Sequence, residues 1–109
     1  MALAVEASGS QTCTVTTTHN VSTPTSNKTR CIVFDFLNSV SGDAFRIDIS
    51  VKVLTGGANR IAYSTTYSNV LGEPIVISPP IPMFWGGNFA ITQTTGTSRV
   101  VPWELLTLD

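Results

Sequence analysis

The segment Ala44–Leu54 reads AFRIDISVKVL, with apolar and polar residues in alternation. One set of alternate positions is apolar throughout: Phe45, Ile47, Ile49, Val51 and Val53. Successive side chains of a β-strand point to opposite faces, whereas a helix would scatter these residues around its circumference. The segment therefore predicts a long antiparallel strand with one buried face and one face in water.

Outside this segment, short runs rich in Val, Ile, Thr and aromatic residues are separated by turns containing Gly, Pro and Asn. No segment has helical periodicity of useful length. About seven or eight strands at this spacing predict an all-β fold, a single antiparallel β-sandwich of the jelly-roll type spanning residues 1–109. Within it we expect an N-terminal arm at 1–10, a polar loop at 20–29 and a proline-rich, aromatic crossover at 78–87.

The run Arg30–Leu37 is apolar on both alternating faces. One face carries Ile32, Phe34 and Phe36, and on the other only Asp35 is polar. A strand of this kind is typical of a sheet centre that is covered on both sides. The short turn at 38–43 then predicts a hairpin between this strand and the one at 44–54.

Three further predictions concern other segments of the chain. The Thr-rich run Gln11–His19 predicts a strand, and Ser-Gly-Ser at 8–10 predicts a break before it. The run Arg60–Tyr67 predicts a strand with Ile61, Tyr63 and Thr65 on one face. Pro102 predicts an interruption between strands at 98–101 and 103–108.

The composition indicates a folded chain with little charge. Hydrophobic residues make up 42% and charged residues 12% of the 109 positions, and the mean hydropathy is +0.23. This charged share is about half of the usual one, and Ser and Thr take its place. Low charge leaves few side chains for a fully solvated surface, so we expect another subunit to cover part of it.

The charge balance argues against nucleic acid as a partner. The formal net charge is −1, and the six basic residues are spread along the chain. Phosphate binding depends on clustered cations that release counterions. The first six residues lack the pattern of a secretory signal, and no apolar run approaches the ~20 residues that span a bilayer. We therefore expect neither nucleic-acid nor membrane partners.

Cys13 and Cys31 flank the polar loop and leave two alternatives open. If their strands are neighbours, a disulfide would close the loop and stabilise the fold by roughly 3 kcal/mol. Alternatively both are buried free thiols, which behave as small hydrophobic groups. The absence of a secretion signal slightly favours free thiols.

No catalytic or metal-binding constellation stands out. His19 is the single histidine, and with two cysteines it makes a zinc site from one chain improbable. A Gly-x-Ser-x-Gly elbow and a calcium loop are both absent from the sequence. Asp35 is the best candidate for a carboxylate of raised pKa, and a hydrolase built on His19 and Asp35 would need the two close together. We therefore expect no cofactor, no metal and no enzymatic activity.

The densest apolar cluster lies in the crossover and is joined by a residue near the C-terminus. Its members are Ile81, Met83, Phe84, Trp85 and Trp103. Such a segment can be a platform for stacking carbohydrate, a protein contact or the cover of the core. Because low surface charge already indicates a covered surface, we take this cluster as the candidate interface.

Runs in the last third of the chain read SPPIP at 78–82, GT at 96–97 and PWELL at 102–106. Through their turn residues they are faintly similar to small structural proteins of tailed bacteriophages. We expect a non-enzymatic structural protein that self-associates, as a coat, decoration or cementing subunit of a virion made in the host cytoplasm. Its partners would be copies of itself and other shell or surface proteins.

The alternative expectation is a carbohydrate- or ligand-binding β-sandwich module that is cytoplasmic or extracellular. Its binding residues would be Trp85, Tyr63 and Tyr67. A row of solvent-facing aromatic side chains on one sheet would favour this alternative, because sugars stack on exposed aromatic faces.

Overall fold

The computed structural model describes residues 3–54, 56–69 and 71–108. These ranges contain nine β-strands: β1 Leu3–Cys13, β2 Thr18–Ser22, β3 Lys28–Asp35, β4 Ala44–Val51, β5 Arg60–Ser68, β6 Ile75–Ile77, β7 Ile81–Met83, β8 Gly87–Thr95 and β9 Arg99–Leu108. The predicted all-β class is confirmed, with slightly more strands than the expected seven or eight.

The strands form two antiparallel sheets that pack together as a β-sandwich. Sheet I has the order β1-β9-β3-β6, with β7 also paired to β3, and sheet II has the order β2-β8-β4-β5. Between them lies a core of buried side chains. It includes a run of aromatic rings in which Phe36 lies 5.0 Å from Phe45, 5.8 Å from Phe34 and 5.7 Å from Tyr67 between ring centroids.

Strand β4 has the buried face that the alternating pattern predicted. Phe45, Ile47 and Ile49 are almost fully buried, and β4 pairs with β5 on one side and β8 on the other. The predicted length is wrong, because the strand ends at Val51. Val53 is 74% exposed in the loop that follows.

Strand β3 is central in sheet I, as its two apolar faces predicted, but the expected β3–β4 hairpin is wrong. β3 pairs with β9, β6 and β7, whereas β4 belongs to sheet II. Segment 36–43 therefore crosses between the sheets. Its turn is closed by bonds from Ser39 N to Phe36 O and from Asp43 N to Val40 O. Short turns join strands within a sheet and between sheets, so turn residues alone did not separate the two cases.

The N-terminal segment is a long strand, and the predicted break at 8–10 is wrong. β1 pairs with β9 from Leu3 to Cys13, with one bulge between Val5 and Ala7. Gly9 lies opposite Trp103, and a Cβ at Gly9 would be 3.4 Å from the indole ring. Gly9 therefore accommodates a neighbouring ring within a continuous strand.

Other boundaries also differ from the predictions. The expected strand at 11–19 is interrupted by a turn in which Thr16 has φ 68°. The polar loop is shorter than 20–29, since β2 extends to Ser22 and β3 begins at Lys28. β9 continues through Pro102, where its pairing with β3 has ended and β1 is its paired neighbour. A proline is tolerated there because the strand is locally at an edge.

A bulge in β5 corrects the predicted placement of Ile61. Ile49 lies opposite Tyr63 and Ser50 lies opposite Ile61, so Ala62 is the extra residue. An extra residue reverses the alternation of side chains, which moves Ile61 to the outer face of sheet II. There it is 64% exposed, while Tyr63 and Tyr67 pack against the core.

Candidate functional site: the outer face of sheet I

The outer face of sheet I, which points away from the core, is largely apolar. Residues directly opposite each other in an antiparallel pair share a face. The register therefore places apolar side chains in rows across four strands: Leu3, Val5, Val100, Pro102, Leu106, Leu108, Cys31, Val33, Ile75 and Ile77. On the described strands, the polar positions of this face are Thr29, Asp35, Glu104 and those of the C-terminal half of β1.

Several of these side chains are exposed to a degree that is unusual for a sheet face. Leu3 is 65%, Val5 57%, Ile75 52% and Ile77 63% exposed, although each belongs to a strand of the sheet. Contiguous apolar patches on soluble proteins mark contact sites. We call this surface the apolar sheet face.

The outer face of sheet II has the opposite character. Its polar side chains bond to one another: Arg46 Nε donates to Asp48 at 2.9 Å and Ser64 Oγ donates to the same carboxylate at 2.6 Å. Further along, Asn88 donates to Asn20 at 2.9 Å. These side chains are hydrogen-bonded to one another within the chain, so this part of the face is polar.

A shallow, open depression of about 250 Å³ lies at one end of the apolar sheet face. It is lined by Val33, Asp35, Pro102, Trp103 and Glu104, and we call it the acidic depression because two of its five residues are carboxylates. Asp35 accepts a hydrogen bond from Leu37 N–H at 3.0 Å, which fixes the carboxylate at the end of β3.

The five candidate interface residues do not gather on one surface. Ile81 and Met83 belong to the core and are 9% and 1% exposed. Phe84 and Trp85 project from the turn after β7, 58% and 39% exposed, with ring centroids 4.6 Å apart. Trp103 is half-buried in β9 beside Gly9 and contributes to the acidic depression.

Cys13 and Cys31 are free thiols in different strands of sheet I. Strand β9 lies between them, with Cys13 opposite Arg99 and Cys31 opposite Leu106, positions about 23 Å apart along the strand. A disulfide requires Cα atoms within about 7 Å, so this fold does not allow the pair. Burial raises the pKa of Cys13 to about 11 and also raises the pKa of Cys31.

The residues of the hydrolase hypothesis and of the carbohydrate-binding hypothesis do not come together at one site either. His19 lies on β2 in sheet II and accepts a bond from Thr14 N–H at 3.1 Å, whereas Asp35 ends β3 in sheet I. Tyr63 and Tyr67 are partly buried and pack against the core, so they do not form a solvent-facing aromatic row with Trp85. The described residues contain no cluster of three or more His, Cys, Asp or Glu that could hold a metal ion.

Sequence reasoning did not single out most of the apolar sheet face, although one signal was present. The two-faced apolar pattern of β3 indicates a strand covered on both sides. In the single chain sheet II covers only the inner side, and Val33 and its neighbours on β6 and β9 remain at the surface. Detecting the rest required the register that places β6 and β9 beside β3, and β1 beside β9.

No protein-family model, curated protein or solved structure matches the chain. In ranges 3–54, 56–69 and 71–108, no helix is long and apolar enough to cross a membrane.

Proposed function

We propose that this protein is a non-enzymatic structural subunit that self-associates through the apolar sheet face. One observation carries the proposal: β3 is apolar on both faces at the centre of sheet I, but sheet II packs on only one of them, and on the other Ile75 and Ile77 of the neighbouring β6 are more than half exposed. Sheets with both faces apolar are found where both are packed. A second subunit would supply the second layer.

The size of the face fits an interface between folded subunits. Strands β1, β9, β3 and β6 contain 11, 10, 8 and 3 residues, and at about 3.3 Å per residue and about 4.8 Å per strand they give a face of roughly 500 Å². Covering it on two copies would remove roughly 1,000 Å² from water, which is at the lower limit for specific protein interfaces. Packed sheets lie about 10 Å apart, so exposed Ile and Val side chains of this face are long enough to interdigitate with a partner.

A second copy is favoured as the partner because the chain has the composition of a subunit in an assembly. Only 12% of its residues are charged, and the polar outer face of sheet II provides a surface that stays in water. We extend the proposal to a virion shell, as a coat, decoration or cementing subunit. Asp35 and Glu104 on the apolar sheet face would repel phosphates, which favours protein neighbours there over packaged nucleic acid.

The proposal is tested by placing one charge on either outer face. Ile77→Glu introduces a carboxylate into the apolar sheet face, and Thr66→Glu introduces the same group on sheet II. Ile77 is 63% exposed and Thr66 is exposed too, so neither change buries a charge within the subunit. Circular dichroism would verify that both variants keep their strands.

Sedimentation velocity of the three proteins at equal concentration gives the result. We expect the wild type and Thr66→Glu to sediment as assemblies and Ile77→Glu as the 11.6 kDa chain. A folded Ile77→Glu variant that assembles as the wild type does would overturn the assignment of this face. A monomeric wild type across the concentration range would overturn self-association itself.

A further inference from the structure

A second apolar surface lies at the end of the sandwich away from the acidic depression. Val53 and Leu54, 74% and 71% exposed, follow β4, and Phe84 and Trp85 follow β7. Lys52 N–H donates to Gly86 O at 3.2 Å, so the two loops are adjacent. We call these four side chains the loop tip.

The loop tip is held by a backbone that leaves little freedom. Gly87 N–H donates to Pro24 O at 3.0 Å, which ties the turn after β7 to the loop before β3. Gly86 has φ 89°, and a Cβ there would overlap the backbone of Pro24 and Thr25. Only glycine fits this close approach, so Phe84 and Trp85 are presented by an ordered turn.

The loop tip and the acidic depression carry opposite charges. Lys52 directly precedes Val53, and Arg60 starts β5 opposite Val51, so two cations flank the tip. Asp35 and Glu104 line the depression. Strand β3 separates the two sites: Lys28 at its start pairs with Met83 beside the tip, and Asp35 is its last residue, about 23 Å away.

We infer that the loop tip of one copy docks in the acidic depression of the next copy. This inference rests on the proposed self-association and names the part of the partner that contacts the acidic end of the apolar sheet face. Apolar side chains would meet Val33, Pro102 and Ile77, and the flanking cations would meet the two carboxylates. Complementary charges of this kind steer association and fix its register.

The volume of the depression also favours a side chain as its occupant. At about 250 Å³ it is smaller than the roughly 300–1,000 Å³ of small-molecule sites. Aromatic side chains are common anchors at the centre of protein interfaces. Trp85, 39% exposed and braced edge-on by Phe84, has the required shape and position.

Docking of a tip in a depression is heterologous, because the two partners use different surfaces. Such contacts do not close at a dimer, and they continue into rings or open arrays. A face-to-face dimer of the apolar sheet face would instead be closed and would leave the loop tip unused. The two arrangements therefore respond differently to changes at the tip.

Mixing of two variants tests the inference. Trp85→Glu disrupts the loop tip and leaves the acidic depression intact. Ile77→Glu leaves the loop tip intact and disrupts the apolar sheet face. We expect each variant alone to be an 11.6 kDa monomer and their equimolar mixture to form a species of about 23 kDa, twice the chain mass. Growth stops there because the complex has one intact contact.

Charge reversal gives an independent measurement of the same contact. Arg60→Glu and Glu104→Lys should each weaken assembly about tenfold, and their equimolar mixture should restore much of the affinity because the reversed charges attract. Arg46→Glu, on the polar face of sheet II, is the matched control and should leave assembly unchanged.

The outcomes separate this inference from the proposed function. If Trp85→Glu assembles as the wild type does while Ile77→Glu is monomeric, self-association through the apolar sheet face is supported and docking of the loop tip is overturned. If the mixture of the two monomeric variants stays at 11.6 kDa, head-to-tail docking is likewise overturned. Binding of the tip to phosphatidylserine vesicles, lost in Trp85→Glu, with no 23 kDa species, would assign the tip to lipid instead.

Discussion

Asp43 and Arg99 form an ion pair, 2.7 Å from Oδ2 to Nε, that joins the two sheets at one end of the sandwich. Asp43 directly precedes β4 in sheet II and is 1% exposed, and Arg99 begins β9 in sheet I. The same carboxylate accepts bonds from Val40 N–H at 3.0 Å and Thr97 N–H at 3.2 Å. One side chain therefore fixes the crossing after β3, the β8–β9 turn and the start of β9.

The Asp43 cluster predicts a dependence of stability on pH. Burial would raise the pKa of Asp43, but hydrogen bonds from Val40, Arg99 and Thr97 outweigh it and hold the pKa below its ordinary value. A lowered native pKa stabilises the fold above the unfolded pKa of about 3.9 and loses that contribution as pH falls through the native value. Asp43→Asn should therefore cost about 2–3 kcal/mol at pH 7, and this cost should decrease progressively as the pH falls below about 3.9.

Guanidinium chloride melts of both proteins at pH 7, 5, 4 and 3 measure this difference. Protein concentration is held fixed, because assembly adds to apparent stability. Asp48→Asn, on the outer face of sheet II, is the control and should change the free energy of unfolding by less than about 1 kcal/mol. An Asp43→Asn cost that is the same at pH 3 and pH 7 would contradict the role given to the carboxylate.

A second ion pair ties the N-terminal strand to the sandwich. Arg30 is fully buried and donates to both carboxylate oxygens of Glu6, at 2.6 and 2.9 Å, and to Ser26 O and Oγ. The hydrogen bond from Arg30 is the main cause that lowers the pKa of Glu6. Glu6→Gln should lower the free energy of unfolding by about 3 kcal/mol, because the buried guanidinium of Arg30 loses its negatively charged partner.

Urea melts at pH 7 compare this variant with Glu73→Gln, which changes an exposed carboxylate. The free energy of unfolding of the control should stay within about 0.5 kcal/mol of the wild-type value. Equal stability of the two variants would show that Glu6 is not needed to neutralise Arg30.

Two isoleucines on neighbouring strands, one in the core and one at the surface, test the register of the β4–β5 pair. Ile49 is fully buried on β4, and Ile61 is 64% exposed on β5 because of the bulge at Ala62. Ile49→Ala should lower the free energy of unfolding by about 2–5 kcal/mol through the cavity that it leaves. Ile61→Ala should change it by about 0.5 kcal/mol or less. Similar costs at both positions would contradict the register of the β4–β5 pair.

The spacing of short strands and turns was sufficient to predict the β-sandwich, and the alternating pattern of β4 was sufficient to predict the burial of Phe45, Ile47 and Ile49. It was not sufficient to predict partners, because antiparallel strands joined by a short turn can pair or can cross between sheets. Gly9 and Pro102 were taken as breaks because local propensity disfavours them in strands. Their tertiary surroundings, the Trp103 ring and a locally free edge, make both residues compatible with strands.

The candidate site was predicted only in part for the same reason. The apolar cluster around Trp85 is a linear feature and was visible in the sequence, although Ile81 and Met83 of that cluster belong to the core. The apolar sheet face is assembled from β1, β3, β6 and β9, so its members become neighbours only through sheet register. The buried pair of Arg30 and Glu6 had no sequence signal at all.

The thiols provide a prediction about chemical reactivity. With its pKa raised to about 11, Cys13 holds about one thiolate in ten thousand at pH 7, and it is fully buried. We expect Ellman's reagent to react slowly with Cys13 in the native protein and to count two thiols per chain in 6 M guanidinium chloride. Counting no thiol after unfolding without reductant would show a disulfide and contradict the order of strands in sheet I.

Self-association is the central claim, and the solution mass tests it most directly. Light scattering of the purified chain at two concentrations, about 1 µM and 100 µM, gives that mass without a label or a surface. We predict a mass well above 11.6 kDa at the higher concentration and a lower average mass on dilution. A mass of 11.6 kDa at both concentrations would contradict the account.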